Sequence, residues 1–241
     1  MKRKICYSVL LLLTVVCAAY VISAWRMVGK HRDKIWLGQC NSVERLLQTQ
    51  SVYPNFQVDV LICQDSTLAV MQGEDSVSAI PIDPFFDFLA EHPQSHLWMD
   101  MKNLSEQNLS LFMGTLEKLF HQHNIDKQQL VVETAAWQLM HVFTISGFYP
   151  VYPMEAPDPS ELSRYQKDSI ITRISRIANS GCVKALDIPS KWYGPLHNQY
   201  QEMDIEFVTR KPGTSPFGLM LSPLGRIMLN DPRMHIILLD E

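Results

Sequence analysis

The sequence predicts an α/β protein, a (β/α)8 TIM-like barrel preceded by one N-terminal transmembrane helix. Three observations predict this. Strand-like and helix-like segments alternate through nearly eight units after Lys34. Carboxylates recur at alternating positions near the ends of strand-like runs, in Phe56-Gln57-Val58-Asp59-Val60 and Leu97-Trp98-Met99-Asp100-Met101-Lys102. Residues 5–25 contain no charged side chain. In a parallel barrel, a carboxylate near the C-terminal end of a strand points into the mouth, where active sites sit.

The chain has 241 residues, a length that suits one barrel or two small domains. Its formal net charge is -4, and no long basic run occurs outside the N-terminus. Nucleic-acid binding therefore has no electrostatic support. No Gly-x-Ser-x-Gly elbow, P-loop or Gly-x-Gly-x-x-Gly occurs.

The apolar run follows Met1-Lys2-Arg3-Lys4 and is long enough to cross a hydrocarbon core of roughly 30 Å as a helix. The alternative is a cleaved signal peptide, but neither Ala19 nor Ala24 ends a clean small-x-small pattern. Lys2, Arg3 and Lys4 before the run are balanced by Arg26, Lys30, Arg32 and Lys34 after it. The short tail makes an inward N-terminus the simpler insertion. The expected arrangement is a single-pass membrane protein with its globular part periplasmic or otherwise extracytoplasmic. Residues 1–25 form the anchor or signal, 26–33 a juxtamembrane link, and 34–241 the barrel.

Each barrel element has a local reason. Residues 34–39 read as a strand and 42–50 as a helix capped by Ser42. Residues 56–63 are a strand, and 68–72 a short extended piece. Asp83 as cap and Pro84 in the first turn open a helix to about 91. Residues 97–101 are a strand. A helix over 105–123 carries Leu109, Phe112, Met113, Leu116, Leu119 and Phe120 on one face. Strands follow at 129–133 and 149–154, flanking a helix over 137–145 that Gly147 stops. A long helix is expected over 159–179, then a strand over 183–188, a helical turn near 192–200 and a strand over 205–209. Residues 223–230 read as a helix and 235–239 as the last strand.

Cys6 and Cys17 fall inside the apolar run. Cys40, Cys63 and Cys182 remain, without metal-like spacing. A Cys40–Cys63 disulfide is open, with buried thiols as the alternative. The histidines show no catalytic grouping: His121 and His123 end an amphipathic helix, and His92 and His96 flank Pro93 in a turn.

Five pieces in order carry a family resemblance: Ile35-Trp36-Leu37-Gly38-Gln39-Cys40-Asn41-Ser42, Gln57-Val58-Asp59-Val60, Leu68-Ala69-Val70-Met71-Gln72-Gly73, Trp98-Met99-Asp100-Met101-Lys102, and the final run from Asp231 to Asp240. Together they resemble the glycerophosphodiester phosphodiesterase-like barrels, including the menorin-type branch and the sphingomyelinase D toxins. The resemblance implies a divalent cation held by carboxylates, which neutralises the phosphate, and two histidines as base and acid. In this chain the first histidine position is Gln39, or Gly38 if the register slips by one. The second is Gln72, and the first metal carboxylate is Gln57. Glutamine does not titrate near neutral pH and cannot shuttle a proton.

What remains defines the candidate site. Asp59 and Asp100 are the candidate metal ligands, holding Mg2+ or Ca2+ weakly with water completing the shell. Lys102 offers a point charge to a phosphate or an ion pair to a carboxylate. Asn41 matches an Asn of menorin-type sequences, with a local turn role as the alternative. Glu133, Glu155 and Asp187 fall at or just after strand ends on the mouth side and could replace the missing acid and base; Gln39 and Gln72 complete the candidates. Two functions stay open. One is a degenerate barrel that has lost hydrolysis and binds a phosphodiester, a lipid head group or an unidentified protein. The other is an active metal-dependent phosphodiesterase with a rearranged site built on Asp59 and Asp100.

Overall fold

A computed structural model describes residues 2–72, 79–199 and 203–240. Gly73 of the third motif and Tyr200 of the expected turn fall outside these residues.

The N-terminal apolar sequence forms α1 (Lys2–Lys30), followed by β1 (Ile35–Leu37) and α2 (Val43–Thr49). Next come β2 (Phe56–Ile62), β3 (Leu68–Met71), β4 (Ala79–Pro81), α3 (Asp83–Glu91) and β5 (Leu97–Met101). The middle of the chain gives α4 (Leu109–His123), β6 (Leu130–Glu133), α5 (Met140–Ile145), β7 (Tyr149–Pro153), α6 (Arg164–Ala178) and β8 (Ala185–Pro189). It ends with α7 (Tyr193–Gln199), β9 (Glu206–Pro212), α8 (Pro216–Leu221), α9 (Pro223–Asn230) and β10 (Met234–Asp240).

Eight strands pair in parallel in the order β1, β2, β5, β6, β7, β8, β9, β10, and β10 returns to β1 through Ile35 opposite Ile237. Leu37 opposite Phe56 closes the ring. The expected closed barrel is therefore the observed one. β3 and β4 are an antiparallel extension of the far end of β2, with Val60 opposite Val70.

Alternation along the strands builds two cores. Val58, Val60, Met99 and Leu130 face outward and pack under the helices with Phe56, Phe85 and Phe112. The lumen is filled by Trp36, Trp98, Val131, Val151, Ala185, Val208, Ile236 and Leu238, so it is a packed interior and not a pore. The Trp36 and Trp98 rings meet edge to face, with centroids 6.3 Å apart. One register step beyond this apolar layer, the inward positions turn polar and form the mouth.

Several boundaries differ from the sequence reading. Asp83 is the first residue of α3 and Ile82 precedes it, so the carboxylate sits in the first turn, beside the positive end of the helix dipole. α4 starts at Leu109 and not at 105. The Asn108 side chain accepts from Ser105 N at 2.8 Å and donates to Asn103 O at 2.8 Å, closing a turn there. The helix expected over 159–179 is divided: a 3-10 turn at Pro159–Glu161 precedes α6, which Ser163 and Gln166 open with a capping box. β4 and α8 were not anticipated. The thiols of Cys40 and Cys63 are free, and burial pushes the Cys40 thiol up to about 12.

The segment expected as a link, 26–33, is helix as far as Lys30. Ala24 is fully buried, and Met27 and Val28 pack on the barrel core. A 3-10 turn at Arg32–Lys34 then leads directly into β1. α1 contains one stretch, Leu10–Lys30, long and apolar enough to cross a membrane. Such length and composition suit a membrane span and a signal sequence alike.

Candidate functional site at the barrel mouth

The mouth is lined by the inward residues at the C-terminal ends of the strands. Asp59 comes from β2, Asp100 from β5, Glu133 from β6, Asp187 from β8, Arg210 from β9 and Asp240 from β10. The parallel register places Asp59 opposite Asp100 and Asp100 opposite Glu133. This many carboxylates converge only because cations and amides are interleaved with them.

Lys102 Nζ lies between Asp59 Oδ1 at 2.9 Å and Asp100 Oδ2 at 2.7 Å. Arg210 binds three carboxylates at once. Its Nε donates to Asp187 Oδ2 at 2.8 Å, and its Nη2 lies 2.6 Å from Glu133 Oε2 and 3.4 Å from Asp100 Oδ2. Trp98 Nε1 donates to the same Glu133 oxygen at 2.9 Å. Asn41 clamps Asp59: its Nδ2 donates to Asp59 Oδ2 at 2.8 Å, while its Oδ1 accepts from Asp59 N at 2.8 Å. Asn41 is thus a partner of the candidate ligand and not a turn residue alone. Gln57 Nε2 donates to Asp59 Oδ1 at 3.0 Å, and Gln57 Oε1 accepts from Gln39 N at 2.7 Å.

The two candidate positions of the first histidine, Gly38 and Gln39, have different surroundings. A Cβ at Gly38 would lie 1.8 Å from Asp240 Oδ1, so a side chain there would have to displace the Asp240 carboxylate. Gln39, the next residue, has an exposed side chain and φ of 49°. This left-handed backbone is uncommon for a residue other than glycine. It turns the Gln39 amide onto Gln57. Gln72 lies one residue past β3, exposed, on the antiparallel extension and not on a barrel strand. The structure therefore brings together Gln39, Asp59, Asp100, Lys102, Glu133 and Asp187, and sets Gln72 on a different element. Among the described residues, no histidine joins this network.

Burial disfavours ionisation of Asp59, but hydrogen bonds from Asn41, Lys102 and Gln57 outweigh it and hold the carboxyl below its ordinary range. Glu133 behaves oppositely. Burial and the neighbouring Asp100 and Asp187 raise it well above the usual value, and Arg210 offsets only part of this. Burial also raises Asp187 against the pull of Arg210, and raises Asp240 against Arg210 and Arg45. Burial opposes the charge on Arg210, but Glu133, Asp187 and Asp100 reverse this and raise it.

A group raised in the folded state favours folding below its unfolded value, and that contribution is lost as pH rises through the folded value. Glu133→Gln removes one such group. Its stability in a urea titration is therefore expected to fall less steeply than wild type as pH rises above the ordinary carboxylate range. An unchanged slope would mean that Glu133 is ionised like an exposed glutamate.

The divalent cation that the resemblance implies fits this donor set poorly. The first carboxylate of the pair is an amide, Gln57, which donates to Asp59 instead of joining it as a ligand. The Lys102 ammonium bridges the two remaining ligands at hydrogen-bond distance, where a cation would sit. No group of three or more His, Cys, Asp or Glu arranged to hold a metal occurs among the described residues.

Beside the network, a cavity of about 450 Å3 opens next to Asp187 and Arg210. Pro153, Met154, Pro189 and Trp192 give it largely apolar walls. Its size and largely apolar lining suit the body of a small ligand, with Arg210 and Asp187 as polar contacts.

Arg210 is the residue that sequence reasoning missed. The expected strand stopped at Thr209, whereas β9 continues to Pro212. The signal was present: Arg210 lies two residues after Val208 and so shares its inward face.

No family model matches the sequence, and no curated protein matches it. Solved structures match over most of its length. A glycerophosphoryl diester phosphodiesterase, so described as putative, from Silicibacter pomeroyi superposes with a TM-score of 0.59 at 9% identity, covering 86% of this chain and 89% of that one. A glycerophosphodiester phosphodiesterase from Parabacteroides distasonis gives 0.58 at 11% identity, covering 86% and 93%. A phosphodiesterase from Oleispira antarctica, solved with the product sn-glycerol-3-phosphate, gives 0.57 at 10% identity, covering 86% and 92%. At such identities the likeness is one of fold. The chain therefore has the closed parallel barrel fold of the glycerophosphodiester phosphodiesterases.

Proposed function

We propose that this chain is a membrane-anchored phosphodiesterase-fold barrel that binds a lipid head group or related phosphodiester at its mouth without hydrolysing it. The observation that carries this reading is the pair of cations inside the carboxylate cluster. Lys102 and Arg210 neutralise the groups that a catalytic metal would need, and neither candidate glutamine transfers protons. Carboxylates outnumber these cations in the mouth, so a head group bearing its own ammonium as well as a phosphate suits the field better than a bare phosphate. The largely apolar cavity beside Arg210 supports a ligand with an acyl portion.

A second reading has its own support. Glu133 and Asp187 both have raised proton affinity and both border Arg210, a combination found at acid-base sites. In that reading the chain is a rearranged hydrolase with Glu133 as acid. One assay separates the two. Hydrolysis of glycerophosphodiester and lysophospholipid substrates is followed with Mg2+, with Ca2+ and with chelator, for wild type and Asp59→Asn. The expected result is no turnover above background in any condition. Turnover that needs metal and is lost in Asp59→Asn would sink the binding reading.

A further inference from the structure

We propose that the barrel is held with its mouth toward the bilayer and with the α8–α9 seam resting in the membrane interface. This rests on reading α1 as an uncleaved anchor. Lys34, just before β1, donates from Nζ to Leu229 O at 3.4 Å and Asp231 O at 3.1 Å. The C-terminal end of α9 therefore lies at the end of the barrel where strands begin. Leu221 and Ser222, at the other end of α9, lie toward the mouth.

α1 runs parallel to α9. Just past its end, His31 lies beside Asn230. Higher up, Arg226 donates to Ser23 Oγ at 3.3 Å and to Tyr20 O at 3.2 Å, with its guanidinium 3.9 Å from the Tyr20 ring centre. Tyr20 Oη donates to Leu221 O at 2.9 Å. Going from Lys30 back to Tyr20 thus climbs from the strand-start end toward the mouth. Residues before Tyr20 continue past it in the same direction.

Length then sets the depth. Residues 5–19, the apolar stretch before the first barrel contact, span about 22 Å as a helix. The hydrocarbon core is roughly 30 Å thick. Residues 20–25 must therefore lie at its edge, and so must whatever packs beside them. Trp25 packs against Phe217 with ring centroids 5.2 Å apart and is itself 63% exposed. Leu224 at 41% and Ile227 at 54% exposure continue this apolar surface along α9. Tyr and Trp at the membrane edge, followed by exposed Arg26 and Lys30, are ordered as in an interfacial belt. The occupant is the bilayer because the patch is continuous with the helix that enters it.

The test is a depth measurement on the full chain in phosphatidylcholine vesicles. Cys6, Cys17, Cys63 and Cys182 are replaced by serine, and buried Cys40 is kept. Single fluorophores are placed by Leu224→Cys at the seam, Glu155→Cys at the mouth rim, and Gln128→Cys at the strand-start end. Lipids carrying a shallow nitroxide are expected to quench the first two labels severalfold more than the third. Equal quenching, stronger quenching at 128, or none at any label in protein that resists carbonate extraction overturns the orientation and leaves the anchor standing. Release of the chain by carbonate overturns the anchor, and the orientation with it.

Discussion

Replacing Arg210 with methionine is expected to destabilise the barrel by about 3–5 kcal/mol, the cost of stranding buried charges whose partner is removed. Methionine keeps much of the apolar stem, while the contact of the guanidinium carbon with the Trp98 ring, 5.6 Å from its centre, goes with the charge. What is lost is the fork. Arg210 contacts Asp187, Glu133 and Asp100 from two nitrogens, and Glu133 is almost wholly buried. A lysine has one nitrogen and no planar fork, so Arg210→Lys should recover only part of the loss. The sign of the pH dependence follows from the raised carboxylates. Without Arg210, Glu133 and Asp187 take up protons more readily in the folded state. The deficit is then largest at neutral pH and shrinks in acid, as folding comes to carry neutral carboxyls. Urea denaturation of the detergent-solubilised chain at several pH values reads this directly. A deficit independent of pH would mean that the lost packing, and not the charge, dominates.

Gly225→Ala is expected to cost about 1–3 kcal/mol, the usual penalty of overpacking. A Cβ at 225 would stand 2.1 Å from Leu219 O and 2.9 Å from Leu219 Cδ1. The obstacle is backbone of α8, which no rotamer change relieves. α9 must move away from α8, which strains the bond from Arg226 Nε to Met220 O and the contact of Leu221 with Tyr20. Gly114→Ala in α4 is the control. Nothing lies within 4 Å of its Cβ, so the substitution is expected to stabilise by about 0.5–1 kcal/mol through helix propensity. If the two alanines behave alike, the close approach of α8 and α9 has no energetic weight.

Most of the barrel was legible because its strands alternate cleanly and its helices carry local caps. β5 was read to the residue, and Ser42 caps α2 by accepting from Arg45 N as expected. The mouth carboxylates were legible for the same reason, since alternation fixes which residues turn inward. The errors have local causes. Arg210-Lys211-Pro212-Gly213 looks like a polar turn, yet pairing with both β8 and β10 carries the strand through it. α8 begins with Ser215 and Pro216, a cap followed by a first-turn proline, which is a helix-start signal carried by the local sequence. The contact between Gly38 and Asp240 joins the first strand to the last and leaves no mark in either local sequence.

The absence of a loose connection between α1 and β1 has one more consequence. A soluble binding domain meets its ligand at bulk concentration, and a domain on a long tether dilutes itself over the volume the tether sweeps. Here the helix, a single 3-10 turn and the first strand follow one another without a break, and Met27 and Val28 pack on the barrel core. With the orientation proposed above, the mouth stays at one height over a surface dense in head groups. An intrinsic affinity too weak to register with a water-soluble head-group analogue would then suffice to keep the mouth occupied.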